Sequence, residues 1–494
     1  MHQMNCTGTA IKACIACRDR KRKCDRITPS CSLCYRLGRR CQYEPRARPS
    51  LRDNSSVMLS STPLSVPRVS LLSPPETPPF FSQPDVNEAI TSRLFHTVGE
   101  IPAVRATAVK YFGSVHQWFP ILSEVGYYER LASTFADPCA EFSLLSLSMA
   151  LITRMPSEDE SFSSIYMLVK SAIAIVEAAD IHCLEVVQAR LLVTLFEVGH
   201  GIEPAAFISI AATTRAAVAI GLNRKINDPS SHDENINSRT QAGLRLWWGL
   251  VMLDRNYTLE RGEGACATHQ YESPQYLPRD GSVWDNKILS SAEPLPLSTP
   301  SSIRVGGFAR QAQVSHLLHI LMMHLRDQRT SFPDPEEADQ IARTLTAFSL
   351  LLPEETPQPW PMYCGAIGMC FSAMMTLHES RPRKSLSEDY LHCDQPESLR
   401  SSLERMHKIC SVFNERIEQA SVDAMSPFPP YGLIRAATLR ERLFKETGDG
   451  SHMAAAESLA LMVKHFSKRW KNAGKLLNAL EEDRRSYGLV SMVH

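Results

Sequence analysis

The sequence has no hydrophobic run long enough to cross a membrane and no overall excess of charge. No stretch approaches the roughly 18 uninterrupted apolar residues that a membrane helix needs. The segment from Met1 to Ala13 also lacks the apolar core of a secretory signal peptide. With 53 basic and 53 acidic residues, the formal net charge of zero by itself indicates neither nucleic acid nor an acidic membrane surface as a partner. We therefore expect no membrane partner and a reducing cytosolic or nuclear location.

Recognisable enzyme motifs are missing as well. There is no P-loop, no G-x-G-x-x-G, no G-x-S-x-G and no H-E-x-x-H. His316, His319 and His324 lie on one predicted helix and suggest a metal site. At 100° per residue, however, His324 lies about 140° from His319, so the three do not share a face. We expect them to be core or surface residues, and we expect the protein not to be an enzyme.

The neutral average conceals a strongly basic N-terminal segment. Residues 12–48 contain 12 Lys and Arg against 3 Asp and Glu, so a basic module is attached to a mildly acidic body. Seven of the 14 cysteines fall within the first 41 residues, and the others are scattered singly between Cys139 and Cys410. In a reducing compartment, grouped cysteines indicate a metal site rather than disulfides. The scattered ones are expected to be buried as small apolar residues.

Composition divides the chain into three parts: a small metal-binding module at 10–45, a linker at 46–88 and a large all-α domain at 89–494. Residues 51–85 hold 8 Ser and 7 Pro in 35 positions. Proline removes backbone donors and fixes φ, so the linker is predicted to be disordered. Its Thr-Pro and Ser-Pro pairs at Thr62, Ser73 and Thr77 are candidate phosphorylation sites, although such pairs are common in any linker of this composition.

Helical periodicity dominates after the linker. Apolar residues fall on one face of each of two predicted helices, and similar stretches cover 313–325, 340–352 and 453–480. The two faces are Val187, Leu191, Leu195 and Val198, and Leu244, Trp248 and Val251, which Arg255 continues as an amphipathic end. Strand-like alternation is scarce and there is no internal repeat of fixed period. The large domain is therefore predicted to be all-α.

Six of the N-terminal cysteines follow a regular spacing, Cys14-x2-Cys17-x6-Cys24-x6-Cys31-x2-Cys34-x6-Cys41, which coincidence explains poorly. Each Cys-x2-Cys pair can place two thiolates on one cation. Six sulfur atoms can give two zinc ions four ligands each only if two of the sulfurs bridge. We therefore predict a binuclear cluster in which all six cysteines bind two zinc ions.

The residues around these cysteines resemble the fungal Zn2Cys6 binuclear-cluster transcription factors. The match runs over Ala13-Cys14-x2-Cys17-Arg18-x-Arg20-Lys21-x-Lys23-Cys24-Asp25 and Pro29-x-Cys31-x2-Cys34. The resemblance implies that Cys14 and Cys31 bridge the metals, that one zinc also takes Cys17 and Cys24, and that the other takes Cys34 and Cys41. It matches Pro29 to the proline between the two halves. Because about 30 residues bury too little apolar surface to fold alone, we expect zinc to supply most of the folding free energy.

The segment between the second and third cysteines is Arg18-Asp19-Arg20-Lys21-Arg22-Lys23. A short helix there would present five cations to a phosphate backbone, which a purely structural zinc module would not need. The resemblance implies that Arg20 and above all Lys21 read bases, while Arg18, Arg22 and Lys23 contact phosphates. Such long donors suit O6 and N7 of guanine in the major groove, in line with the CGG-type triplets that the family prefers.

Further arginines extend this basic surface, and they fit either a nuclear-import signal or an ordinary solvated tail. They are Arg36, Arg39, Arg40, Arg46 and Arg48. Family members often dimerise through a coiled coil directly after the cluster, but the prolines of this linker forbid sustained heptads. A homodimer would therefore have to form through the large domain.

The large domain resembles the family's middle homology domain at several loose motifs. They are Tyr111-Phe112-x3-His116-x2-Phe119-Pro120-Ile121-Leu122, Gln188-Ala189-x-Leu191-Leu192 with the following stretch from Ala211 to Gly221-Leu222, Arg245-Leu246-Trp247-Trp248-x5-Asp254-Arg255, and Ser426-Pro427-Phe428. From the residues themselves, we expect the two tryptophans to be core packing and the Asp-Arg pair to be an ion pair at a helix end.

The resemblance implies a nuclear, sequence-specific transcription factor that acts on RNA polymerase II promoters. Its expected partners are double-stranded DNA with CGG sites and the transcription machinery, and activation of metabolic or biosynthetic genes is expected by family analogy. The alternative is an interaction or effector-sensing protein whose helical domain does the main work. Replacement of Lys21 by alanine would separate these two interpretations.

Overall fold

Two units make up the chain in the computed structural model, Met1–Pro75 and Glu76–His494. The structure describes residues 8–9, 12–20, 22–28, 30–37, 41–43, 82–134, 137–156, 163–225, 234–262, 264–271, 274–279, 295–328, 335–354, 361–380, 397–415 and 421–486.

The N-terminal unit contains two short helices, α1 (Ile15–Asp19) and α2 (Ser32–Arg36), and an antiparallel pair of strands, β1 (Gly8–Thr9) and β2 (Ile27–Thr28). Each helix begins after a cysteine with extended backbone: Cys14 has φ −61° and ψ 153°, and Cys31 has φ −67° and ψ 150°. The same local structure is therefore built twice, once in each half of the cysteine spacing.

The large unit is built from helices. They are α3 (Gln83–Val98), α4 (Ile101–Phe112), α5 (Glu124–Ser133), α6 (Ala140–Ile152), α7 (Ser163–Ala178), α8 (Leu184–His200), α9 (Ala205–Ala219), α10 (Leu222–Lys225), α11 (Glu234–Arg261), α12 (Gly307–Gln328), α13 (Pro335–Glu354), α14 (Pro361–Ser380), α15 (Glu397–Glu415), α16 (Pro429–Thr447), α17 (Gly450–Ser467) and α18 (Lys471–Ser486). Single 3-10 turns occupy Val115–Gln117 and Val422–Ala424. Of the helices described, none is both long enough and apolar enough to span a bilayer. The helices listed above confirm the predicted all-α domain.

The large unit begins earlier than predicted. Helix α3 starts at Gln83, whereas the sequence placed the start of the domain at residue 89. Ser82 caps this helix by accepting a hydrogen bond from the Asp85 backbone N–H, and Pro84 lies in the first turn, where a missing N–H is tolerated. The last proline of the predicted linker therefore belongs to a helix. Residues 46–81 lie outside the described residues, so their disorder stays a prediction.

Both predicted apolar faces are buried, one on α8 and the other on α11. The stretches 313–325 and 340–352 lie within α12 and α13. The stretch 453–480 instead divides into α17 and α18, because the chain leaves the helix to bury Arg469 and Trp470. Arg469 donates to the Arg154 carbonyl at 3.2 Å, and the Trp470 indole donates to the Met425 carbonyl at 2.8 Å.

Motifs that are far apart in sequence meet around the segment after α4. Gln188 donates to the Ile121 carbonyl at 2.8 Å, and Arg245 donates to the Pro120 carbonyl at 3.0 Å. These bonds satisfy backbone oxygens that are buried with the segment. Trp118 packs edge-on against Phe428, with 6.0 Å between the ring centroids. The loose motifs of the large domain are therefore parts of one core.

The predicted core role of Trp247 and Trp248 agrees with their burial, since their exposed fractions are 1% and 0%. The expectation for Asp254 and Arg255 is wrong in one respect. They are buried and do not lie at a helix end, because α11 continues to Arg261. Asp254 accepts hydrogen bonds from the backbone N–H and the hydroxyl of Thr268, both at 2.7 Å.

Arg255 donates to the Ser315 carbonyl at 3.2 Å and so joins α11 to α12. Neighbouring residues on a helix point about 100° apart, so the two side chains reach different elements. Their role is to tie a loop and a second helix to α11.

Candidate metal centre and nucleic-acid interface

The sulfur atoms of the N-terminal unit form two sets of four, and within each set all ligand atoms lie within 4.8 Å of one another. The first set is Cys14, Cys17, Cys24 and Cys31, and the second is Cys14, Cys31, Cys34 and Cys41. Cys14 and Cys31 therefore belong to both sets. Elsewhere in the described part of the chain, no other group of three or more His, Cys, Asp or Glu residues is arranged in this way.

The spacing of these sulfur atoms fits a metal centre. The Sγ atom of Cys31 lies 3.8 Å from that of Cys14 and 3.7 Å from that of Cys17. Four thiolates around a tetrahedral zinc, with Zn–S bonds of about 2.3 Å, lie about 3.8 Å apart. A disulfide would need a separation of about 2.05 Å, and the described cysteines are free thiols.

Backbone N–H groups of the second half point at its sulfur atoms. The Cys31 N–H lies 3.3 Å from the Cys41 sulfur, and the Cys34 N–H lies 3.4 Å from the Cys31 sulfur. Helix α2 begins here, and the N-terminus of a helix favours negative charge. The fold thus supplies donors to sulfur atoms that must be thiolates in order to bind a metal.

Burial of these cysteines calls for a cation. Desolvation raises the pKa of Cys14, of Cys17 and of Cys34 to about 12 each, so without metal they would be protonated thiols. Burial also raises the pKa of Cys24, but hydrogen bonds from the backbone of Cys14 and Arg26 outweigh it and bring the pKa to about 7. A bound metal ion favours the thiolate form of all of them, so the donor set fits zinc.

The predicted helix over the basic segment is shorter than expected. Helix α1 ends at Asp19, so Arg18 lies on it, Arg20 caps its C-terminus, and Arg22 and Lys23 follow outside it. The Arg22 N–H donates to the Cys17 carbonyl at 2.9 Å, and the chain then continues to the sulfur set that includes Cys24. The helix therefore ends before the segment that leads to Cys24.

The described cations of this segment, Arg18, Arg20, Arg22 and Lys23, have exposed side chains. Arg36 is exposed on α2. The remaining candidates, Lys21, Arg39, Arg40, Arg46 and Arg48, lie outside the described residues, and so does Pro29. The structure therefore places four of the five predicted DNA contacts on the surface of the zinc module.

Sequence reasoning missed the role of Asp25. Its carboxylate accepts hydrogen bonds from the Ser32 N–H at 3.0 and 3.2 Å, at the start of α2. A hydrogen bond with the Ser32 side chain is the largest effect that lowers the pKa of this carboxyl; backbone hydrogen bonds from Ser32 and Ile27 add to it, and desolvation opposes it. Asp25 was visible in the matched motif directly after Cys24, and the preference of carboxylates for helix N-termini could have identified its role.

Comparisons with known proteins agree with this geometry. Residues 12–50 match the fungal Zn(2)-Cys(6) binuclear cluster domain, and residues 109–322 match the fungal specific transcription factor domain. Transcription factor BOA15 of Botryotinia fuckeliana (strain B05.10) is 36% identical over 123 residues, which are 25% of this chain and 69% of that protein. The chain belongs to the fungal Zn2Cys6 transcription factors. It is thus a DNA-binding transcription factor, and its cofactors are two zinc ions.

In this Zn2Cys6 transcription factor, the cysteines of the two sulfur sets would hold zinc, and the bound metal would cross-link the two halves of the small module. The histidines of α12 are apart from that chemistry. His324 is buried, and its Nδ1 atom lies 2.6 Å from a carboxylate oxygen of Glu337 on α13. His316 and His319 are half-buried, and none of the three belongs to a metal-ligand group among the described residues.

Proposed function

We propose that this transcription factor acts in the nucleus by reading CGG-type triplets in RNA polymerase II promoters. Arg20 and Lys21 contact guanine, and Arg18, Arg22 and Lys23 contact phosphates. The observation that carries this proposal is a run of exposed cations fixed to a module whose interior consists of metal-binding sulfur. A rigid support matters because base reading needs side chains held in one register on the duplex.

The zinc assignment belongs to the same proposal. Cys14 and Cys31 bridge the two ions, Cys17 and Cys24 complete the first, and Cys34 and Cys41 complete the second. Support comes from the two sulfur sets, which share these two cysteines. The metal therefore positions the basic segment, because Cys17 and Cys24 flank it on either side.

By analogy with the family, we propose that the protein activates metabolic or biosynthetic genes and that the transcription machinery is its partner. A homodimer through the large domain is part of the proposal. Apolar side chains exposed on the surface of that domain support it. They include Phe207 and Ile208 on α9 and Met167 on α7, with exposed fractions of 51%, 60% and 62%. Aromatic residues and methionine are enriched at protein interfaces.

The decisive experiment is selection of bound duplexes from a random pool by the full-length, zinc-loaded protein. We expect enrichment of a CGG-like triplet, and of paired triplets at a fixed spacing if the protein binds as a dimer. Lys21→Ala should weaken binding to the selected site by roughly 5- to 150-fold and relax the guanine preference. Arg36→Ala, which removes a cation from the other half of the module, should lower affinity less and leave the preference unchanged.

Two results would contradict this proposal. If the wild-type protein holds two zinc ions and enriches no triplet, the proposal that it reads bases is wrong. The interpretation as an interaction or effector-sensing protein is then favoured. If Lys21→Ala and Arg36→Ala lower affinity equally and leave the selected sequence unchanged, Lys21 is a phosphate contact and does not read bases.

A further inference from the structure

A cleft of about 830 Å³ opens in the large unit between α12, α13 and the loop at residues 297–301. We propose that this cleft binds a small amphipathic anion, a molecule with an apolar body and one carboxylate or sulfonate group. The site is separate from the DNA-reading chemistry, which belongs to the zinc module. It would give the large unit a ligand of its own.

The size and the walls of the cleft suit such a molecule. Pockets for small ligands commonly measure about 300–1,000 Å³ and are lined mainly by apolar side chains. Here Leu317 of α12, Phe348 and Leu351 of α13, and Leu297 of the loop all line the cleft. An apolar body of two fused rings or a medium-length alkyl chain would cover these side chains.

The charge of the cleft selects an anion. Among the described residues that line it there is no Asp or Glu, and Arg343 is the one Lys or Arg. Arg343 donates one hydrogen bond, at 2.8 Å, to the side-chain oxygen of Gln340. A guanidinium carries five N–H donors, so others remain for a carboxylate or sulfonate. A cationic ligand would meet Arg343 without a compensating negative charge.

His316 adds a polar group inside the same cleft. Its Nδ1 atom is buried and has no hydrogen-bond partner among the described residues. Burial, and then the charge of Arg255, lowers the pKa of His316, so the ring is neutral near pH 7 and can donate or accept. The half-buried ring of His316 thus adds a polar side chain to a mainly apolar lining.

The loop wall is held in place by hydrogen bonds. Gln313, which is buried, donates to the carbonyls of Leu297 at 3.0 Å and Thr299 at 2.8 Å. Arg310, also buried, donates to the Gln313 side-chain oxygen at 2.8 Å and to the Ile303 carbonyl at 2.7 Å. Because these bonds are already formed, little ordering of the loop would oppose binding.

The test uses the full-length, zinc-loaded protein without DNA and the fluorescent anion 8-anilinonaphthalene-1-sulfonate as the probe. We expect one saturable site from which octanoate displaces the probe and octylamine does not. Ala347→Trp should abolish binding, because Ala347 lines the cleft and its exposed side chain leaves room to extend into it. Arg343→Gln should raise the dissociation constant at least fivefold, whereas the control Arg442→Gln, an exposed arginine on α16, should not change it.

Two results would overturn the proposal. Wild-type affinity in Ala347→Trp, with helix content and melting temperature unchanged, would show that the probe binds elsewhere. Equal displacement by octanoate and octylamine, with Arg343→Gln binding normally, would show that the cleft does not select anions. Because no DNA is present, either failure leaves the proposed reading of CGG triplets untouched.

Discussion

The zinc module and the large unit solve the problem of stability in different ways. In the described part of the module, the fully buried residues are four cysteines, and the partly buried residues packed against them are Ala16, Leu33, Tyr43 and two more cysteines. In the large unit, helices pack around a continuous core rich in leucine, alanine and valine. Metal–sulfur bonds replace apolar burial where the chain is too short to form a core.

The same residue type plays opposite parts in the two regions. In the module, cysteines gather so that their sulfur atoms can bind metal. In the large unit, Cys370 and Cys410 are fully buried, and burial raises the pKa of both thiols far above the usual value. They remain protonated and pack as small apolar side chains. Whether a cysteine binds metal or packs in the core therefore depends on whether other cysteines lie close to it.

The strongest test of this contrast replaces one cysteine by serine in each of the two regions. Cys14→Ser should remove both zinc ions, since Cys14 belongs to both sulfur sets and a serine hydroxyl is a poor zinc ligand. We expect binding to the selected duplex to fall at least roughly 100-fold as the module unfolds. Zinc content by atomic emission and duplex binding by fluorescence anisotropy would measure this.

The matched control is Cys183→Ser in the large unit. Cys183 is half-buried at the N-cap of α8, a position where serine is favoured. We expect the free energy of unfolding of the large unit to change by less than about 1 kcal/mol, with zinc content unchanged. Two zinc ions retained by Cys14→Ser would contradict the bridging role of Cys14.

A second test addresses the fit of the apolar core. Helices α14 and α16 pack at two glycines: a Cβ atom on Gly432 would lie 2.6 Å from the Ser372 nitrogen, and one on Gly368 would lie 2.6 Å from the Pro429 Cα. Gly432→Ala should lower the free energy of unfolding by about 1–3 kcal/mol, because backbone atoms cannot move aside easily. Chemical denaturation followed by circular dichroism would measure the change.

Gly474→Ala is the control for helix propensity. Its added Cβ would meet nothing closer than Ser467 Cβ at 3.6 Å, and the residue lies in helix α18. Alanine is the better helix former, so we expect stabilisation of up to about 1 kcal/mol. Equal effects at both glycines would mean that α14 and α16 do not approach as closely as described.

The sequence predicted features that repeat at fixed spacing and missed features that depend on distant partners. Cysteine spacing was sufficient to predict a binuclear centre, and period 3.6 was sufficient to predict the buried face of α8. The position where α1 ends could not be predicted in this way. Helix propensity favours continuation through Arg20 to Lys23, but the helix ends at Asp19, before the chain reaches Cys24 of the first sulfur set.

Tertiary contacts account for the other differences. Asp254 and Arg255 look like a pair in sequence, yet their partners Thr268 and Ser315 lie on other elements. The cleft beside Arg343 depends on how α12 and α13 approach each other, which local periodicity does not encode. The sequence thus predicted the burial of residues more accurately than it predicted their contacts.

The finest test of the comparison concerns Asp25, a carboxylate that supports the metal module from outside the sulfur sets. Asp25 accepts the Ser32 N–H at the start of α2, where negative charge is favourable. Asp25→Asn keeps the shape and an acceptor oxygen but removes the charge. We expect two zinc ions still to bind and to be lost to a chelator roughly two- to fivefold faster than from the wild type.

Comparison of two variants at this position separates charge from hydrogen bonding. If charge dominates, Asp25→Asn and Asp25→Ala should lose zinc at the same rate, and added salt should bring the wild-type rate closer to theirs. If the hydrogen bond dominates, the asparagine variant should lie between wild type and alanine at all salt concentrations. Unchanged release in both variants would mean that metal–sulfur bonds alone hold the module, and the contrast with the large unit would then be complete.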